Sequence, residues 1–248
     1  MEDQELLRYS KQIMLPQIDV EGQQKIMDST VLIIGMGGLG SPTALYLAAA
    51  GVGHIIIADF DQVELSNLQR QIIHQTKDIG EDKVDSAKNK LTELNPNIKV
   101  TIANELIHTD NLSTLIKDVD IVLDGTDNFE SRFEINKVCV DYKKPLVSAA
   151  VIRFEGQVSV FKGYEKDQPC YQCLYTEEGD DNESCVQSGV LAPVVGLIGT
   201  IQALQAMKVI LSLGDELCGT LLLVDGLDLS FRKVKIGKDL KCPICNSN

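Results

Sequence analysis

Positive charge is in short supply in this chain. Its 248 residues carry 23 lysines and arginines against 36 aspartates and glutamates, a net charge of −13, which opposes non-specific binding to nucleic acid or to anionic membranes. Long apolar runs are also missing: they fall short of the roughly 20 residues that a membrane span needs. The opening MEDQELLRYSKQ has no apolar signal core, which points to a cytoplasmic protein. Seven cysteines are too few and too unevenly placed for a disulfide scaffold. No internal repeat and no low-complexity linker divides the chain. With 44% hydrophobic and 24% charged residues, the composition is that of an ordinary globular protein, and one continuous domain over 1–248 is the simplest reading.

What the chain does have is an α/β alternation. A polar helical segment, Asp3 to Gln12, is followed by a β-branched strand, Val31 to Ile34, and a nearly all-apolar helix, Ser41 to Ala50, with Pro42 in its first turn. HIIIADFD, His54 to Asp61, reads as a second buried strand ending in carboxylates. DKVDSAKNKLTELNP spaces Val84, Ala87, Leu91 and Leu94 as one helix face and stops at Asn95-Pro96. KVTIANELI reads as strand, NLSTLIKDVD as helix, IVLDGTDN as strand and loop, and ESRFEINKVCVDYK as helix. The pattern predicts a Rossmann-like, doubly wound parallel sheet. From Lys144 the rhythm changes: PLVSAAVIRFEGQVSVFKG gives strands without helices between them, with a turn at Gly156, and predicts an antiparallel second half. An acidic stretch from Glu177 to Ser184 reads as a mobile loop. APVVGLIGTIQALQAMKVILSLG follows as a long apolar helix and GTLLLVDGLDLSFRKVKI as strands.

The first strand runs into VLIIGMGGLGSP, where Gly35, Gly37 and Gly40 match G-x-G-x-x-G between strand and helix. Backbone N–H groups at such a turn receive phosphates. Asp59, nineteen residues beyond Gly40 at the end of the next strand, is placed to accept from ribose hydroxyls. Together they predict an adenosine-containing ligand, and a dehydrogenase using NAD is the first candidate.

The next segment argues for ATP instead. After Asp59 come a second carboxylate, Asp61, and then Asn67, Arg70 and Lys83, a polar and cationic set that hydride transfer does not require. A guanidinium forks onto phosphate oxygens, an ammonium places a point charge on them, and an amide orients them. Any one of these alone is an ordinary surface group; the combination is what points to a triphosphate. LDGTDNFESR ends another buried strand at Asp124 and Asp127. Asp127 is a candidate ligand for Mg²⁺, a hard cation that takes carboxylate oxygens. Asp124 reads better as a cap for its own turn, and Arg132 as a salt-bridge partner.

The cysteines divide into three groups. Cys170 and Cys173 in PCYQC, with Cys242 and Cys245 in CPICN, form two CxxC pairs that supply four thiolates for tetrahedral Zn²⁺. Four thiolates leave no open position, so the site is structural and would tie the end of the chain to its middle. Cys139 and Cys218 lie among apolar neighbours and read as core. Cys185 follows the acidic stretch, where exposure favours reactivity but the surrounding carboxylates oppose the thiolate.

RYSKQI, GMGGLGSP, ADFDQVELSNLQRQ, DGTDN, the two CxxC pairs and Cys185 occur together and in this order, and as a set they resemble the bacterial MoeB/ThiF/HesA group, adenylyltransferases of ubiquitin-like sulfur-carrier proteins. The resemblance covers essentially the whole chain. It implies ATP and Mg²⁺ as cofactors, a structural zinc, and adenylation of the C-terminal Gly-Gly carboxylate of a small β-grasp carrier. By the same resemblance Gly38 and Gly40 lie along the phosphates, Asp59 holds the ribose, Asn67, Arg70 and Lys83 contact the triphosphate, and Asp127 holds Mg²⁺. Arg8 in LLRYSKQ resembles a residue that reaches the partner subunit's phosphates, which implies an active homodimer. The ATP-binding half would then span about 1–135 and the carrier-binding half about 136–248. AAVIRFEGQVSVF and GVLAPVVGLIG favour the molybdopterin branch over the thiamine branch. Two readings from other classes, an NAD-dependent oxidoreductase and a non-catalytic adaptor for a ubiquitin-like protein, leave the Asn67, Arg70, Lys83 and Asp127 set without a use.

Overall fold

A computed structural model describes residues 1–175 and 189–246. Cys185 and the acidic stretch around it lie outside the described residues.

Eight strands form one sheet in the order β3-β2-β1-β4-β5-β6-β7-β8. Strands β1 (Thr30–Ile34), β2 (His54–Ala58), β3 (Lys99–Ala103), β4 (Ile121–Asp124) and β5 (Leu146–Ile152) are parallel; β6 (Glu155–Phe161), β7 (Thr220–Asp225) and β8 (Ser230–Lys235) continue it antiparallel. The predicted parallel half and antiparallel continuation are both present, and the change of direction falls between β5 and β6. β1 shows why its run is continuously apolar. Val31 and Ile33 enter the core on one face, Leu32 and Ile34 the core on the other, so both faces are covered.

Helices α4 (Gly40–Ala50), α5 (Lys83–Leu94) and α8 (Ala192–Leu211) cover the first face, and α6 (Thr109–Leu115) and α7 (Phe129–Asp141) cover the second. In α5 the predicted face holds at Val84, Ala87 and Leu91, whereas Leu94, the last residue, is exposed. The N-terminal segment is two short helices, α1 (Asp3–Arg8) and α2 (Ser10–Ile13), broken at buried Tyr9, and α3 (Asp19–Asp28) leads into β1. The length and apolarity of α8 match a membrane span, yet it packs against α4, β5 and β6 as the central core helix. Its Gln202 donates to the carbonyls of Asp124 (2.7 Å) and Val147 (3.0 Å) and accepts from Thr43 Oγ1 (3.0 Å). One buried amide thus ties α4, β4 and β5 together, because polar groups in a core must find partners.

The hairpin between β5 and β6 turns at Arg153 and Phe154, with Arg153 at φ 54°, and Gly156 is not the turn as predicted. Gly156 lies within β6, opposite Val151, where an added Cβ would come within 2.3 Å of Ile198 Cγ1 on α8. Glycine there admits a helix rather than a bend.

Candidate functional site

The sequence motifs converge at the carboxyl end of the parallel strands, where open α/β sheets bind ligands. The glycine turn links β1 to α4. Gly35 has φ +91°, and a Cβ there would lie 2.9 Å from the Gly125 carbonyl oxygen; a Cβ on Gly40 would lie 1.9 Å from the Gly35 carbonyl. Side chains are excluded at both positions, so the turn folds tightly and seats itself against the loop after β4. That loop is the DGTDN motif, and Gly125 and Thr126 are its residues against the glycine turn.

Asp59 follows β2 and anchors the turn from the other side. Its Oδ2 accepts from the Met36 N–H at 2.6 Å and its Oδ1 from the Asp61 N–H at 2.9 Å. Burial pushes its carboxyl above the usual value of 3.8, with the Lys83 ammonium pulling the other way. Each oxygen keeps a lone pair for a further donor, so the anchoring role and a ribose contact are compatible.

Lys83 and Arg70 each have a defined place. Lys83 is the first residue of α5; its side chain is 6% exposed and its Nζ pairs with Asp61 Oδ2 at 2.7 Å. A buried ammonium requires a counter-charge, and half-exposed Asp61 supplies one. Arg70 follows the 3₁₀ turn Leu65–Asn67, and its aliphatic stem lies over Gly38, where a Cβ would be 3.4 Å from Arg70 Cγ. Arg70 Nη2 donates to Asn67 Oδ1 at 3.0 Å, and Asn67 Nδ2 to Glu64 Oε2 at 3.3 Å. Arg70 with Asn67, and Asp59 with Asp61 and Lys83, thus reach the glycine turn by two chains of contacts. Asp127 itself is exposed.

Arg8 is elsewhere. Its Nη1 donates to the Leu94 carbonyl at 3.2 Å, at the end of α5, and neighbouring Tyr9 packs on Gly51 at the end of α4. Gly40 and Lys83 begin those two helices, of 11 and 12 residues, so about 16–18 Å of helix separates Arg8 from the glycine turn of its own chain.

Asp124 and Arg132 behave as read from sequence. Asp124 Oδ1 accepts from the N–H and Oγ1 of Thr126, at 2.9 and 2.7 Å, capping its turn, while Arg132 Nε lies 3.6 Å from Asp124 Oδ2. Sequence reasoning missed the remaining supports, Ser148, which donates to Asp124 Oδ2 at 2.8 Å, and Gln202. The available signal was a polar side chain inside an otherwise apolar run, in LVSAAV and TIQALQ.

Away from this site the four CxxC thiols meet. Sγ distances are 3.9 Å for Cys170–Cys173, 3.6 Å for Cys170–Cys242 and 3.4 Å for Cys173–Cys245, and all four sulfurs lie within 4.8 Å of one another. A tetrahedron of sulfurs 2.3 Å from a central zinc has edges of about 3.8 Å, so the donor set fits that ion. The hydrogen bond from Cys170 favours the thiolate of Cys173 and lowers its pKa, while the Cys170 thiol is pushed up in return. Cys139 is wholly buried, as expected of a core residue, and Cys218 is partly buried with its thiol 3.2 Å from Gln168 Oε1.

A family model described as the ThiF family matches residues 9–244. The chain belongs to this family. It is 44% identical over 245 residues to a molybdopterin-synthase adenylyltransferase of Escherichia coli (strain K12), covering 99% of this chain and 98% of that one. A sulfur carrier protein ThiS adenylyltransferase of the same strain is 43% identical over 248 residues, covering 100% and 98%. Among solved structures, E. coli MccB with ATP superposes with a TM-score of 0.84 at 24% identity, over 97% of this chain and 75% of that one, a likeness of fold.

Proposed function

We propose that this member of the ThiF family is an adenylyltransferase that uses ATP to activate the C-terminal carboxylate of a small ubiquitin-like sulfur carrier ending in Gly-Gly, and that the carrier is the one used in molybdopterin biosynthesis. The observation that carries the reading is the placement of the Arg70 stem over Gly38 of the glycine turn, and of Lys83 on Asp61, whose N–H bonds the same Asp59 that anchors the turn. Hydride transfer does not require this set of cations, whereas the larger charge of a triphosphate uses all of it. The full-length similarity to adenylyltransferases supports the same reading.

In the reaction a carboxylate oxygen of the carrier attacks the α-phosphorus of ATP. A new P–O bond forms, the bond to the β-phosphate oxygen breaks, and pyrophosphate leaves with the electron pair. No side-chain base is needed, because the attacking carboxylate is already ionised at neutral pH. Catalysis then reduces to alignment and charge neutralisation. Gly37, Gly38 and Gly40 let the phosphates approach the backbone, Asp59 accepts from the ribose, and Asn67, Arg70 and Lys83 orient and neutralise the triphosphate. Asp127, an exposed carboxylate in the loop after β4, suits Mg²⁺, which would neutralise phosphate charge there. Cys170, Cys173, Cys242 and Cys245 would hold a structural zinc.

Arg8 lies too far from its own glycine turn to touch a nucleotide there, which supports its assignment to the site of a second subunit and a homodimer as the active form. The antiparallel half is the surface we assign to the carrier. The deciding experiment is carrier-dependent exchange of labelled pyrophosphate into ATP, with molybdopterin-type and thiamine-type carriers offered separately and each also tested without its Gly-Gly. Exchange with the molybdopterin-type carrier alone supports the whole reading. Exchange with the thiamine-type carrier alone moves the protein to that pathway, and exchange with neither refutes the activity.

A further inference from the structure

Behind the glycine turn stands a buried histidine that the reaction scheme does not use. His74 is 5% exposed. Its Nε2 lies 3.1 Å from the Met36 carbonyl oxygen and its Nδ1 2.8 Å from Ser86 Oγ, and Ser86 Oγ lies 3.1 Å from Asp78 Oδ2. Ser86 is in the first turn of α5, three residues after Lys83, and Asp78 closes the 3₁₀ turn Thr76–Asp78. A carbonyl oxygen only accepts, so a ring hydrogen belongs on Nε2; in the neutral ring Nδ1 then competes with Asp78 Oδ2 for the single hydroxyl hydrogen of Ser86. Burial, the largest influence, holds the imidazole below its ordinary 6.5, opposed in part by its bond to Met36.

Met36 sits in the middle of the glycine turn and is held from both sides. Its N–H goes to Asp59 and its carbonyl to His74. The Met36–Gly37 peptide is planar and trans, so a carbonyl turned back toward His74 aims the Gly37 N–H the opposite way. Among the described residues neither Gly37 nor Gly38 donates its N–H to another group. Gly37 instead uses its carbonyl, which accepts from the N–H and Oγ of Ser41 at 3.0 and 2.6 Å at the start of α4. The flanking peptides are thus held by Asp59 and Ser41 and the Met36–Gly37 peptide itself by His74, leaving the Gly37 N–H available to an anion at the head of α4.

We propose that His74 is a positioning residue for the nucleotide: its Nε2–H, bonded to the Met36 carbonyl, holds the Met36–Gly37 peptide with the Gly37 N–H facing the phosphates. The inference rests on the reading of the glycine turn as the ATP site. It also links that turn to Lys83, since His74 leans on Ser86 within the same helical turn. Removing the Nε2 donor frees the Met36 carbonyl to rotate away and takes the Gly37 N–H with it.

The two amide replacements of histidine separate this role from simple core filling. Glutamine reaches the position of Nε2 and keeps a donor for the Met36 carbonyl; asparagine reaches only the position of Nδ1, toward Ser86. ATP with Mg²⁺ is the probe, its binding followed by calorimetry and by the amide resonance of Gly37. His74→Gln is expected to bind ATP within about three-fold of the unsubstituted protein, and His74→Asn about ten-fold more weakly, the loss of roughly one hydrogen bond's worth of orientation. The Gly37 resonance should shift on ATP addition in the first variant and scarcely in the second. Equal affinity and equal shifts in the two variants overturn the proposal. If the unsubstituted protein shows neither binding nor a shift, the ATP reading falls and the proposal with it. Should His74→Asn fail to fold, the unsubstituted protein still decides: with three histidines in the chain, nitrogen-15 spectra of the rings are readily assigned. A His74 ring without a hydrogen on Nε2 refutes the proposal.

Discussion

Removing the metal from the four-cysteine site should destabilise the whole chain, and the structure sets the size of the effect. Cys170 and Cys242 are 72 positions apart, so a bound ion closes a long loop in the unfolded chain as a cross-link would. Treating the clip as a disulfide of that loop length gives about 4 kcal/mol at 25 °C. For a chain of this size that corresponds to a fall in Tm of roughly 8–16 °C. The site has little else to hold it. Cys170, Cys242 and Cys245 are buried in a small cluster with Val140 and Ile244, apart from the two main cores, and Gly163 backs it where an added Cβ would come within 2.4 Å of Cys170 Cβ. The assay is a thermal scan of reduced protein with and without a strong chelator, alongside Cys242→Ser and metal analysis of the freshly purified chain. One zinc per chain, a Tm drop in the stated range and early proteolysis after residue 235 in the metal-free form are the expected results. A reduced, metal-free protein with an unchanged Tm and a protected tail would refute the structural assignment.

Other consequences are as direct. Arg70→Ala should leave Tm within a degree or two and lower carrier-dependent pyrophosphate exchange at least about a hundred-fold, the scale of one lost charge-assisted contact to a transition state. Because Arg8 is assigned to the partner's site, Arg8→Ala and Arg70→Ala should each be inactive alone, while a one-to-one remixed pair should recover about a quarter of full activity, from one intact site in half the dimers; no recovery argues against a shared site. Burial raises the Asp59 pKa, so ionising it costs stability: its contribution is present at low pH and is lost as pH rises through the raised value. Asp59→Asn should therefore gain on the unsubstituted protein in urea unfolding between about pH 4 and pH 7, while losing ATP affinity; a constant difference across that range would contradict the burial argument. Cys185→Ser should still form the acyl-adenylate, and failure to support thiocarboxylate formation afterwards would place sulfur chemistry on that thiol.

The parallel half was legible because its strands are short apolar runs alternating with helical spacing, which only a sheet covered on both faces explains. Gly35 and Gly40 were legible for a local reason: Gly35 takes a positive φ and Gly40 folds back on the Gly35 carbonyl, so neither admits a Cβ. The antiparallel hairpin was legible as a class but its turn was misplaced. Glycine at 156 looks like a bend in sequence, and only the crossing of α8 reveals that the missing side chain makes room for Ile198. Leu94 fitted the apolar face of α5 by spacing, yet the helix ends there and leaves it at the surface. The cysteine pairs were legible because CxxC spacing is a local property, while their meeting across 72 positions rested on chemistry alone.

The residues that sequence did not single out share one feature: each is polar, buried and paired across the fold. Ser148 and Gln202 reach the Asp124 loop from β5 and α8, and His74, backed by Ser86, reaches the glycine turn from the segment around α5. None lies on a periodic face, so hydrophobic patterning passes over them. Their partners are mostly backbone carbonyls or a buried carboxylate, groups whose directions matter more than their identities. This division follows from the reaction proposed. When the attacking group is already ionised and no proton need be moved, catalytic power rests on how rigidly donors are aimed. The side chains that would meet the nucleotide are then those a motif can reveal, and the side chains that aim the turn beneath it are those that only the folded chain shows. On this argument, substitutions at Gln202 or Ser148 should weaken ATP binding and stability together, whereas His74→Asn should separate the two, lowering affinity by more than its effect on Tm accounts for. A parallel loss in all three would mean that the turn is held by packing alone.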